Sequence, residues 1–286
     1  MTKTLVSFGH GYSAQWFSRL LIPRGWRVIG TTRNEDKLGP LLESGVEPRI
    51  WPGANMLPAL DAATHLLISA APNEHGDPVL HELRKEIITR KNQFEWVGYL
   101  STTGVYGNHD GGWVDEDTPL TPTTRRGKAR KQAEEDWLSI DGLPVHIFRL
   151  AGIYGPGRGP FAKVRNGTAR RIIKENQVFS RIHVADIAQV LLASVEQPNP
   201  GAAYNLCDDD PAPPDVVIGY AAELLGYPLP PAVSFEDAEM SPMARSFYSD
   251  SKRVRNDRIK TELGVTLKYP DYETGLKGLL DQEGGE

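Results

Sequence analysis

Six residues near the start of the chain carry the first readable chemistry. Gly9-His10-Gly11-Tyr12-Ser13-Ala14 has the form G-x-G-x-x-A and lies between a short apolar run and a helical pattern. In that setting the first glycine allows a tight turn. The second lets backbone approach a diphosphate, and the small third residue packs helix against strand. Tyr12, Ser13 and Ala14 open the helix, whose free N–H groups and positive dipole end suit an anion. The pattern therefore points to a dinucleotide. The next strand ends in Gly30-Thr31-Thr32-Arg33-Asn34, with no acid at its tip. An acid there would bind the ribose hydroxyls of NAD, whereas an arginine suits a 2′-phosphate. Arg33, with Thr32 as a hydrogen-bond donor, makes NADP the expected cofactor, and NAD stays as the alternative.

These residues need a scaffold that holds strand ends side by side. Apolar runs at 4–8, 27–31, 65–69, 96–100, 145–150 and 204–206 read as strands. Helical patterns at 13–22, 78–90, 126–138, 184–195, 215–225, 252–263 and 272–281 read as helices. Such alternation implies βαβ units and a parallel sheet. The expected fold is a Rossmann-type, doubly wound α/β sheet with a smaller, mostly helical C-terminal substrate-binding portion. Residues 1–155 form the expected nucleotide-binding core, to which the strand near 203–206 also belongs. Residues 156–286 form the smaller portion, which is not an independent domain.

Composition narrows the class. The 286 residues include one cysteine, Cys207, so an internal disulfide and a Cys-based zinc site are excluded, and no metal is expected. Lys and Arg number 32 against 37 Asp and Glu, a net charge of −5 that argues against nucleic acid as a partner. Arg125 to Lys131 does hold five basic residues in seven, which reads as a solvated helix face. No run approaches the roughly 20 apolar residues of a membrane span, and the N-terminus is too short and glycine-broken for a signal peptide. A soluble, cytoplasmic protein is expected, acting on a small molecule as a monomer or homodimer.

Five further segments carry a resemblance. Ser69-Ala70-Ala71-Pro72, Tyr99 to Gly107, Arg149 to Gly157, Arg181 to Ala188 and Tyr204-Asn205-Leu206 stand in the order found in the extended short-chain dehydrogenase/reductases. That group contains the NAD(P)-dependent epimerases and dehydratases. The resemblance implies that Ala70, Ala71 and Pro72 line the cofactor, and that Ala151, Gly152 and Ile153 lie beside the nicotinamide. It implies that Thr102, four residues before Tyr106, is the catalytic hydroxyl. The family also carries a Y-x-x-x-K pair on the following helix. The tyrosine exchanges a proton, and the lysine tunes it and binds the nicotinamide ribose. Aligned on K-x-A-x-E, Lys131 takes the lysine place and Gly127 the tyrosine place. The chain thus resembles an atypical subgroup lacking the active-site tyrosine. Gly127 is expected to leave open space above the nicotinamide, with Lys131 on the ribose.

Other titratable groups read as structural. Tyr106 and Tyr154 are expected under loops, His183 and Asp186 at a helix start, Lys128 and Arg130 on a solvated face, and His10 as a placeholder in the glycine loop. Two functions follow. One is an NADP-dependent oxidoreductase or epimerase/dehydratase-like enzyme with an altered proton donor, acting on a small hydroxyl, carbonyl or nucleotide-sugar-type substrate. The other is an inactive NAD(P)-binding sensor or scaffold.

Overall fold

Seven parallel strands run through the centre of the molecule in the computed structural model, which describes residues 2–284. They are β1 (Thr4–Phe8), β2 (Arg27–Thr32), β3 (Glu47–Ile50), β4 (His65–Ile68), β5 (Trp96–Thr102), β6 (Val145–Leu150) and β7 (Ala203–Leu206). Their spatial order is β7-β6-β5-β4-β1-β2-β3. The chain moves outward from β1 to β3, then returns to the other side of β1. The reversal between β1 and β4 is the topological switch point, where open α/β sheets form their ligand crevice. Residue 1 and residues 285–286, at the outer ends of the two expected portions, lie outside the described residues.

The sheet is buried on both faces, and that explains the unbroken apolar strands. Leu5, Leu67, Trp96, Leu100 and Phe148 face one core, with α1 (Tyr12–Leu21) and a later helix, Val184–Glu196. Val6, Ile68, Val97, Tyr99 and Ile147 face the other. There they meet α2 (Pro78–Thr89) and α3 (Arg125–Leu138) through Val79, Ile87, Ala133 and Trp137. Alternation of side chains along each strand produces this division. A third apolar cluster, with Phe161, Val217, Ala221 and Leu276, lies under the later helices. Yet Val254, Ile259 and Leu267 join the core that holds Leu5, so the C-terminal chain packs into the half that carries the glycine loop.

Three expectations need correction. Glu47–Ile50 is a strand that the apolar pattern did not show. It is half-buried at the sheet edge, where Pro48 is tolerated because one side needs no hydrogen bonds. The helix over 252–263 shrinks to Asp257–Thr261. Arg253–Val254 pairs instead with Trp113–Val114 as a short parallel ladder. The β2 strand also runs one residue further, to Thr32.

Candidate active site

At the switch point the backbone does the shaping. Gly9 has φ +76°, and a Cβ on it would stand 2.8 Å from the Ala70 nitrogen. Only glycine permits that close approach in that conformation. It brings the glycine loop against the Ser69–Pro72 segment, whose Ser69 and Ala70 N–H groups both donate to the Phe8 carbonyl. The end of β2 is strapped on as well. Gly9 N–H donates to Thr31 Oγ1 at 2.8 Å, and His10 N–H donates to the Thr31 carbonyl at 2.7 Å. Gly11 precedes α1 with no side-chain cap, and only the Gly9 oxygen, at 3.7 Å, would meet a Cβ there. The helix therefore opens on space, with the first-turn N–H groups of Tyr12, Ser13 and Ala14 at its start. Tyr12 donates its hydroxyl to the Pro156 carbonyl at 2.9 Å, which ties α1 to the chain following Ile153.

At the tip of β2, Thr32 Oγ1 accepts from Asn34 N–H at 3.1 Å, and Asn34 Oδ1 accepts from Asp36 N–H at 2.9 Å. This turn leaves Arg33 exposed, with no ion pair among the described residues. Glu35 and Asp36 point outward from a short 3-10 turn, and neither stands at the strand tip. Ala151 donates to the Leu206 carbonyl, and Gly152 and Ile153 ladder with Arg181 and Ile182.

The β5 end is built from charged side chains. Thr102 is the last residue of β5, beside Leu150 of β6. Its Oγ1 accepts from Gly104 N–H at 3.1 Å, so its own proton is free to be donated. Below it, Ser101 donates to Glu134, and Glu134 is bound to Arg149 at 2.9 Å. Arg149 also reaches the Tyr106 hydroxyl, 2.9 Å away, and Tyr106 donates to Asn205 Oδ1 at 2.7 Å. Burial is the largest single influence on Arg149 and pulls its pKa down, but the charge and hydrogen bonds of Glu134, together with Tyr106, outweigh it and the net shift is upward. This network joins α3 to β5, β6 and β7. Neither Glu134 nor Arg149 was expected as a site-building residue. The available signal was an arginine inside the apolar strand Val145–Leu150, which demands a buried partner.

Helix α3 corrects three expectations. Gly127 does not open space. A Cβ there would lie 2.7 Å from the Gly104 carbonyl oxygen and 2.9 Å from Pro122 Cβ. Its lack of a side chain lets the first turn of α3 press against the loop after Thr102. Lys131 is engaged at a loop carbonyl. Its Nζ donates to the Leu120 carbonyl at 3.1 Å, with Glu135 at 3.9 Å. The cation turned inward is Arg130, which was expected on a solvated face. It donates to the Leu100 carbonyl at 2.6 Å and to the Tyr99 hydroxyl at 3.1 Å. Strand β4 pairs with β5 only as far as Tyr99, so the Leu100 carbonyl lies past its last partner on that side. Arg130 takes that place. Adjacent basic residues give no spacing signal that says which one faces the sheet.

The remaining titratable groups are committed to structure. Burial pushes the Tyr106 hydroxyl up to about 12. Burial also raises Tyr154, whose hydroxyl reaches the Asp271 carbonyl. His183 is lowered to about 4, mainly by burial, and its Nδ1 accepts from Ala185 N–H as a helix cap. Asp186 is raised by burial and accepts from the N–H groups of Lys268 and Tyr269. His10 is lowered to about 4 by burial, with its ring against Gly30. Among the described residues no group of three or more His, Cys, Asp or Glu is arranged to hold a metal ion. No described helix is long and apolar enough to cross a membrane.

Sheet order, switch point and glycine seam together define a Rossmann-type fold of the kind used by nicotinamide-dependent epimerases and dehydratases. MoeE5, solved with UDP-glucuronic acid and NAD, superposes with a TM-score of 0.80 over 99% of both chains at 19% identity. Proteins of the same fold have been solved with NAD, as in a dTDP-glucose 4,6-dehydratase from Bacillus anthracis, and with NADPH, as in the human epimerase family protein SDR39U1. No family model matches the chain. A solved, functionally unknown conserved protein from Silicibacter pomeroyi DSS is 63% identical, with a TM-score of 0.95 over 98% of this chain and 99% of that one. The two belong to one family. Protein YeeZ of Escherichia coli K12 is 28% identical over 94% of this chain and 97% of its own length.

Proposed function

We propose that the chain is an NADP-dependent oxidoreductase or epimerase/dehydratase-like enzyme of the extended short-chain dehydrogenase/reductase group, in a subgroup lacking the usual tyrosine. The observation that carries this reading is the glycine seam, in which Gly9 lies against Ala70 on the two sides of the switch point. The diphosphate sits at the start of α1, over Gly11, Tyr12, Ser13 and Ala14. Arg33 takes the 2′-phosphate, which makes NADP the preferred form. Ala70, Ala71 and Pro72 line one side of the cofactor, and Ala151, Gly152 and Ile153 lie near the nicotinamide. When bound, the cofactor supplies the hydride chemistry, and the protein orients it. Thr102 donates its free proton in a hydrogen bond to a substrate hydroxyl or carbonyl oxygen. The substrate is a small hydroxyl or carbonyl compound or a nucleotide sugar, as in the neighbours of this fold.

A second reading, an NAD(P)-binding sensor or scaffold without turnover, is favoured by one observation. Tyr106, Tyr154 and His183 are all tied into the structure and shifted away from neutral pH. The deciding experiment has two steps. Calorimetric titration with NADPH and NADH should show tighter binding of NADPH, and absence of binding by either overturns the cofactor assignment. NADP-loaded protein is then offered a panel of alcohols and sugar nucleotides, with absorbance read at the NADPH band. Reduction supports the enzyme, and a silent panel with tight cofactor binding supports the sensor.

A further inference from the structure

The geometry of α3 also bears on what the site binds, if the cofactor reading above holds. The resemblance implies two functional side chains four residues apart on this helix. Gly127 cannot be the first, because any side chain there meets the Gly104 carbonyl and Pro122. Lys131 is not the second, because it is engaged at Leu120. One residue earlier stand Arg126 and Arg130, also spaced i, i+4 and therefore on a common face. Arg130 reaches the free edge of β5. Arg126, a turn nearer the helix start, extends the same face beyond the strand ends. It crosses to the helix Pro242–Phe247, donating to Ser246 Oγ at 3.0 Å and stacking 4.9 Å from the Phe247 ring.

The surrounding carboxylates are engaged elsewhere. Glu74 faces Arg125 at 3.8 Å. Asp250 accepts from Thr123 and lies 3.5 Å from Lys252. Asp77 caps α2 through Val79 and Leu80 N–H groups. Arg126 is exposed and has no carboxylate partner among the described residues. A guanidinium keeps its charge across the accessible pH range, so this pair cannot trade protons as a tyrosine and lysine do. Its planar fork of donors suits a carboxylate or phosphate instead.

We propose that the substrate of this site carries an oxyanion, a carboxylate or a phosphate, and that Arg126 binds it. Arg130 is the positioning residue that holds the adjoining turn to β5. The test uses full-length protein saturated with NADPH and titrated calorimetrically at constant ionic strength. One arm uses malonate, the other inorganic pyrophosphate. At least one should bind saturably, and the tighter arm identifies the kind of oxyanion. Arg126→Gln should weaken that binding by about tenfold or more, and Arg126→Lys by less, since the point charge survives without the fork. NADPH affinity and the melting temperature should be unchanged in both variants. Malonate binding by the wild type should stay flat between about pH 7 and 9, where the dicarboxylate and the guanidinium both keep their charge. Absence of binding in both arms by NADPH-loaded wild type, or equal binding by Arg126→Gln, overturns the proposal. Failure of the wild type to bind NADPH removes the cofactor reading as well, and is seen before either arm begins.

Discussion

The carboxyl edge of the sheet is made of different materials on its two sides. Around β1, β2 and β4 the crevice is shaped by main-chain atoms, with Gly9, His10, Thr31, Ser69 and Ala70 strapped together. Around β5 and β6 it is shaped by charged side chains, with Glu134, Arg149 and Arg130 fixing α3 against the strands. A backbone site tolerates few residue types but is insensitive to which polar side chains surround it. A side-chain site tolerates many types but depends on each partner being present. The first kind suits a ligand common to many proteins, and the second suits a chemistry that differs among them.

The largest expected effect breaks the backbone side. Gly11→Asp places a carboxylate where the proposed cofactor's diphosphate would lie, and NADPH binding should be lost in calorimetry while the fold, followed by circular dichroism, persists. The next breaks the side-chain side. Glu134→Ala leaves Arg149 buried without its partner, and unpaired buried charges of this kind cost about 3–5 kcal/mol. Urea unfolding should show that loss. If the midpoint is unchanged, the network does not hold α3.

Protonation acts on both sides. His10 lies in the glycine loop, and His146 lies in β6. Burial lowers each to about 4. Because the folded pKa values lie below the unfolded value, this contribution to stability is complete above about pH 6.5 and is lost as the pH falls toward 4. Protonation at one such histidine costs the fold of order 2 kcal/mol at about pH 5. His10→Asn should flatten part of the acid limb of a melting-temperature profile, and an unchanged limb would exclude its burial as a cause.

Smaller effects sharpen the contrast. Arg33→Ala should weaken NADPH by about 1–3 kcal/mol, the range for charge-assisted hydrogen bonds, and leave NADH nearly unaltered. Lys131→Met should change NADPH affinity by less than about 0.5 kcal/mol, the usual effect of a surface substitution. A large loss there would mean that the lysine leaves Leu120 for the ribose when the cofactor is bound.

The same contrast explains what the sequence revealed. Glycines at fixed spacing between a strand and a helix report on backbone, so Gly9 and Gly11 could be placed on the helix entry from residue types alone. Gly127 was misread because a glycine signals close approach without saying of what, and here it is the Gly104 carbonyl rather than a ligand. Arg130 and Lys131 differ by about 100° around the helix, and the three basic residues just before them, Arg125, Arg126 and Lys128, hide that difference. Glu47–Ile50 escaped because a half-buried edge strand with a proline lacks the apolar run of its neighbours.

The Tyr106–Asn205 hydrogen bond joins residues 99 positions apart. During synthesis the chain through Leu150 contains Glu134 and Arg149, so that ion pair can form first. The β6 strand then exposes an unpaired edge until β7, with Asn205, has emerged about 50 residues later, and such edges invite pairing with other chains. At roughly 5–20 residues per second that interval lasts several seconds. The nascent protein is therefore most vulnerable to misassembly after its first six sheet strands are complete and before its last strand arrives.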